Sequence, residues 1–187
     1  MDVLQKIKNY FLLKSIERNK GERKTKLTTL KHAKSIGILI SITSEEEYKR
    51  LVKFTHLPEF NHKTICILGY CDDKAVPHYC LTQLTHDFFC KKQLNWFNKP
   101  QFEHIAQFCK KDFDLLIVYT KENIPAFQYI LGTSNAKFIT GYIPQKTGYL
   151  DLSLQFFKIP EFLEVISVMD NYTETLLGQS NPNNENL

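Results

Sequence analysis

Ser35-Ile-Gly-Ile-Leu-Ile-Ser41, Thr64-Ile-Cys-Ile-Leu-Gly69, Asp114-Leu-Leu-Ile-Val-Tyr119 and Ala136-Lys-Phe-Ile-Thr140 are the segments that decide the fold. Each is short and apolar without alternation. A strand wetted on one face alternates polar and apolar residues, whereas one covered on both faces reads as a continuous apolar run. Cover on both faces requires helices above and below a mostly parallel sheet, which is a doubly wound α/β domain.

The segments between the runs carry helix signals. Thr43 stands three residues before Glu46, a capping-box spacing that predicts a helix through Phe54, stopped before Pro58. Pro100 suits the first turn of a helix through Lys111. Asn123 suits the cap of a helix that begins near Pro125 and ends at Gly132. Pro160 opens a last helix with Phe162, Val165, Ile166 and Met169 as its apolar stripe. His86-Asp-Phe-Phe-Cys90 reads as a short third strand, preceded by an apolar piece of one or two helical turns, and Leu150–Gln155 as a sixth, edge strand. The sum is a Rossmann-like sheet of five to six strands in the order 3-2-1-4-5-6. Its crevice is expected between the ends of strands one and four, near Ser41–Thr43 and Tyr119–Lys121.

At 187 residues and 43% hydrophobic composition, the chain can bury one substantial core. The net charge of +4 is unevenly spread. Residues 1–34 hold ten Lys/Arg against three Asp/Glu, and residues 35–187 hold fourteen against seventeen. Residues 2–19 read as a helix with Val3, Leu4, Ile7, Tyr10 and Phe11 on one side and Lys6, Lys8 and Lys14 elsewhere. Asn19–Lys26 reads as a flexible connection. The expected organisation is a basic helix and linker over 1–26, one α/β domain over 27–177 and a disordered tail over 178–187.

Five cysteines, Cys66, Cys71, Cys80, Cys90 and Cys109, are odd in number and lack framework spacing. With no secretory signal and no run approaching the ~20 apolar residues of a membrane span, the chain is expected to be cytoplasmic with free thiols.

Phosphate chemistry is not expected. Neither G-x-G-x-x-G nor G-x-x-x-x-G-K-[ST] occurs, and Glu45, Glu46 and Glu47 occupy the first turn after strand one. Those carboxylates complement the helix dipole and repel an anion at that end. A metal set could be sought in His78, Cys80, His86 and Cys90, but H-x-C…H-x₃-C departs from zinc spacing. On a strand, His86 and Cys90 stand about 13 Å apart. Cys71 beside Asp72 and Asp73 has its thiolate disfavoured, so no nucleophile is assigned. No catalytic residue, cofactor or metal is expected.

What remains are binding candidates. Asp72, Asp73 and Thr120 at expected strand ends, with Asn95 if its loop borders the crevice, could hold a small polar ligand. The stretch Phe88–Pro100 interleaves Lys91, Lys92 and Lys99 with Phe97 and Trp96. That pattern fits a nucleic-acid stacking platform, or a loop that pins the only Trp in the core and leaves its lysines in water.

The run Asp87-Phe-Phe…Lys92…Leu94-Asn-Trp-Phe-Asn-Lys-Pro100 resembles a domain-of-unknown-function family common in Bacteroidota. Lys34–Ile40, Cys71-Asp-Asp-Lys74, Phe113–Ile117, Ala136-Lys-Phe138 and Gly141 resemble it too, as does the basic first helix. The similarity covers all but the last dozen residues, and Leu94-Asn-Trp-Phe97 is its most specific part. The chain departs from that pattern at Val118, where an acidic residue is common, and at Tyr142, where a basic one is. The resemblance implies a cytoplasmic α/β protein whose role is open, and it carries over no activity.

The expected function is therefore a non-catalytic binding or interaction module. Its contact surfaces would be the basic helix, with Lys6, Lys8 and Lys14, and the loop with Lys91, Lys92 and Trp96. A protein partner is the first expectation. Two alternatives stand beside it: a small ligand, as in an enzyme or sensor, in the strand-end crevice, and RNA or an anionic membrane surface met by residues 1–26.

Overall fold

A computed structural model of the chain describes residues 3–21, 23–80, 84–145 and 147–180. Among these residues six strands form one parallel sheet: β1 Ser35–Ile42, β2 Thr64–Cys71, β3 His86–Cys90, β4 Leu115–Tyr119, β5 Ile139–Tyr142 and β6 Leu152–Ser153. Their order is β3-β2-β1-β4-β5-β6, and every neighbouring pair runs parallel. This is the doubly wound arrangement that the unbroken apolar runs predict.

Alternation along each strand divides the core into two layers. Ile36, Ile38, Ile40 and Ile42 of β1 join Ile67, Leu115 and Ile117 on one face. There they meet Tyr48, Leu51 and Phe54 of α2 (Glu45–Thr55) and Phe162, Val165, Ile166 and Met169 of α5 (Phe162–Ser180). On the other face Leu39, Leu68, Leu116 and Val118 pack on α3 (Glu103–Lys110) and α4 (Pro125–Gly132). The helix α1 (Val3–Asn19) lies outside α4.

Several local expectations are corrected. The cap of α2 is Ser44, whose hydroxyl accepts from the Glu47 amide. Glu47 in turn accepts from the Thr43 amide, one residue before the cap, so the box expected between Thr43 and Glu46 does not form. α4 starts after Ile124, which makes no side-chain cap, so Asn123 does not serve there. Pro100 is not helical: it bridges back to Leu94 and closes a tight excursion, and α3 begins only at Glu103. α5 continues through Ser180, so the first residues of the expected tail are helical. The remainder, 181–187, lies outside the described residues, as does part of the apolar piece expected before β3.

The charged segment expected to be a loose connection is fastened. Arg23 pairs with Asp151, and the Lys26 amide donates to the Lys137 carbonyl at 3.0 Å. Beyond Lys26 a turn at residues 30–32 leads the chain into β1.

The largest correction concerns α1. Val3, Leu4, Ile7, Tyr10 and Phe11 do share a side, as their spacing requires, but that side faces solvent. Leu12 and Ile16 face α4 instead, at 1% and 2% exposure. The Ile16 side chain lies over Gly132, where even a Cβ would come within 2.6 Å of its methyl. Nearer the N-terminus the inward residues are Gln5 and Asn9, which bond each other at 2.9 Å. They border a polar hollow of about 370 Å³ lined also by Asn123, Gln128 and Gln145. One half of α1 is held by packing, and the other rests on amides.

Candidate functional site

The crevice between the ends of β1 and β4 is where a doubly wound sheet ordinarily takes its ligand. Here it is filled by the protein's own charges. Lys121 follows β4 and donates to Glu47 at 2.8 Å and to Glu161 at 3.3 Å, and Arg50 reaches Glu161 at 3.5 Å. Burial pushes the Glu47 carboxyl up, but hydrogen bonds from Lys121 and Thr43 outweigh it and hold it below its ordinary value. The Lys121 ammonium is raised, first by its bond to Glu47. Only a small apolar gap of about 50 Å³ remains beneath, lined by Ile40, Leu51, Tyr119 and Phe162 among others. An anion entering here would meet Glu45, Glu46 and Glu47 at the dipole end.

A more open cleft, about 470 Å³, lies beyond the ends of β2, β3 and β4 on the α3–α4 face. Asp72, Lys91, Asn95 and Glu122 line it together with Tyr70 and Asn123. Three of the sequence candidates therefore meet. Asp72 is held by Lys91 at 2.9 Å and by the Tyr70 hydroxyl at 2.8 Å. Lys91 keeps its carboxyl below the usual range, with the Tyr70 bond adding to the effect. Asn95 is largely architectural, since its Oδ1 accepts from the Phe97 and Lys99 amides and ties the tight turn after Leu94. Asn98 completes that turn in a left-handed conformation, φ 65°.

Asp73 and Thr120 do not line this cleft. Asp73 Oδ1 accepts from the Lys74 amide at 2.6 Å. Thr120 is buried, and its hydroxyl donates to the Glu122 carbonyl and accepts from the Glu122 amide. Asp72 and Asp73 thus point to different partners and form no carboxylate pair.

The residues weighed for zinc are dispersed. His86 is buried in β3, His78 stacks edge-on with Tyr79 at 5.8 Å, and Cys80 lies 3.8 Å from Cys71. Among the described residues no group of three or more His, Cys, Asp or Glu side chains could hold a metal. The Cys71 thiol is pushed up, first by its contact with Cys80 and then by burial. A larger open depression of about 730 Å³ lies at the opposite ends of the strands, before β1, β4 and β5, lined by Lys26, Lys31, His32, Lys34 and Lys137. Its one strand-proximal carboxylate, Asp114, is taken by Lys137 and by the Lys34 and Ser35 amides.

The two stretches singled out as contact surfaces meet at one corner, through Phe11, Trp96 and Phe97. Trp96 is not in the core, as one reading had it, but 55% exposed. Its ring meets Phe11 of α1 at 5.2 Å and Phe97 at 5.2 Å, and Phe11 meets Phe97 at 6.1 Å. This corner continues the solvent-facing stripe of Val3, Leu4, Ile7 and Tyr10. Lys6 is exposed, Lys8 is half-buried, and Lys14 lies 5.8 Å over the Tyr10 ring. Lys92 is exposed at the start of the loop. Sequence reasoning found the stripe and the loop separately. Their union needs the fold, because residues 11 and 96 are distant in the chain.

Fold and surface together define a doubly wound α/β protein with a self-filled crevice and an apolar, basic outer helix. The chain belongs to the family of unknown function DUF6913, whose model matches residues 8–176. Neither the curated proteins nor the solved structures yielded a match. No helix among the described residues is long and apolar enough to cross a membrane.

Proposed function

We propose that this protein is a non-catalytic docking module of the cytoplasm, with the α/β domain of residues 27–177 as scaffold and residues 1–26 as its contact arm. One observation carries the reading: the apolar side of α1 faces solvent and is extended by Trp96 and Phe97. Isolated exposed apolar side chains are ordinary, whereas a contiguous set on one helix and one loop marks an interaction surface. On this reading the Leu94-Asn-Trp-Phe97 motif serves the Bacteroidota family as a docking corner. The residues that shape its turn, Asn95 and Asn98, are there to present Trp96.

The test is affinity capture of the full-length tagged chain, compared with the variant Ile7→Glu, Trp96→Ala. Loss of specific partners or of subcellular position in the variant, with unchanged melting, supports the reading. Identical capture and position would defeat it.

A second reading rests on the 470 Å³ cleft. Asp72, Lys91 and Glu122 offer charges of both signs beside the amides of Asn95 and Asn123, a set suited to a small zwitterionic or hydroxylated ligand. Thermal-shift screening of amino acids and sugars checks it. A rise of several degrees for one compound, lost in Asp72→Ala, would support it.

A further inference from the structure

We infer that the outer face of α1 docks on an anionic bilayer surface, with Trp96 as an anchor at headgroup depth. The inference rests on the docking reading above and names its partner. At about 100° per residue, Val3, Leu4, Ile7, Tyr10 and Phe11 form a single stripe. Lys6 and Lys8 stand roughly 100° to either side of its centre. Lys14 and Arg18 continue the stripe's own line toward the helix C-terminus. A helix so arranged lies in the interfacial plane with its apolar side in the acyl boundary and its lysines turned back to phosphates. Trp96, beside Phe11, pairs an apolar ring with a polar N–H, the combination that settles at the interface.

Charge selects the lipid. Residues 3–20 carry Lys6, Lys8, Lys14, Arg18 and Lys20 against Glu17 alone. That balance favours a negative leaflet and opposes a second copy of the same helix, which would set like charges face to face. Aliphatic content favours lipid over RNA. Val3, Leu4 and Ile7, which make up most of the stripe's N-terminal part, offer no plane on which a base can stack. The seat of the helix fits as well. Gln5 and Asn9 rest on a polar hollow, so the N-terminal half can tilt toward a membrane while Leu12 and Ile16 keep the other half on α4.

The experiment is co-sedimentation of the full-length protein with vesicles of phosphatidylcholine alone or with about one third phosphatidylserine. The emission of Trp96, the chain's only tryptophan, is recorded in parallel. Expected are binding to the anionic vesicles, a blue shift of the emission and weakening as salt rises. Tyr10→Glu and Lys6→Glu should each lower vesicle-bound protein about tenfold or more, with melting unchanged. Absence of binding to anionic vesicles at low salt, with emission unmoved, would overturn the inference. So would equal binding to neutral vesicles, which removes the role of charge. A photocrosslinker at Phe11 separates the two levels. If vesicles are ignored but the crosslinker joins a protein or RNA in cells, the docking reading stands and the lipid inference falls. If neither occurs, both fall.

Discussion

Gly141 stands in β5 at φ 139°, and a Cβ there would lie 2.0 Å from the Val118 carbonyl oxygen of β4. No L side chain fits without parting the two strands. Gly141→Ala should therefore destabilise by about 3 kcal/mol or more, measurable by urea denaturation. His86 permits a second test at this scale. Burial lowers its pKa below the ordinary 6.5, with His56 adding to the effect and Asp87 opposing it. The unfolded imidazole then binds its proton at higher pH than the folded one, so the unfolded state holds more protons below about 6.5. Stability should fall as pH drops through that value toward the lower folded pKa. In His86→Phe this part of the slope should vanish, which melting curves between pH 7.5 and 5.5 will show.

The helices differ in what their sequences reveal. α2 and α5 were legible because their apolar stripes are the ones they bury. α1 was legible as a helix but not in its orientation. Periodicity states which residues share a side, and only tertiary contact decides which side is covered. Here Leu12 and Ile16, flanked by Gln5 and Asn9, won over a richer stripe because Gly132 leaves room for Ile16 to approach α4. Two opposed substitutions test this placement. Ile7→Glu, on the outer side, should change stability by no more than about 0.5 kcal/mol. Leu12→Ala should cost roughly 2–3 kcal/mol and speed amide exchange across residues 3–19. The turn at Leu94–Pro100 was misread for a related reason. Pro100 is compatible with a first helical turn, but the Asn95 side chain captures the Phe97 and Lys99 amides and draws the chain into a hairpin-like excursion.

At the scale of the whole molecule, the parallel sheet and its order could be read from the apolar runs and the helix signals between them, because burial on two faces leaves continuous apolar sequence. The closed crevice could be read only in part. Glu45, Glu46 and Glu47 announced that an anion is unwelcome and Lys121 fell at the expected crevice, whereas Glu161, which both Lys121 and Arg50 engage, reaches it from a segment far along the chain. Lys121→Met should remove the partner of a half-buried Glu47 and cost about 1–3 kcal/mol. Adenine and nicotinamide nucleotides should move the melting temperature of the intact protein by less than about 1 °C. Finally, all five cysteines are free and buried, and they sit in or beside β2, β3 and α3. A maleimide pulse should leave the native chain unmodified and add up to five labels as the sheet opens. The protein thus carries its own tally of global unfolding, readable by mass alone.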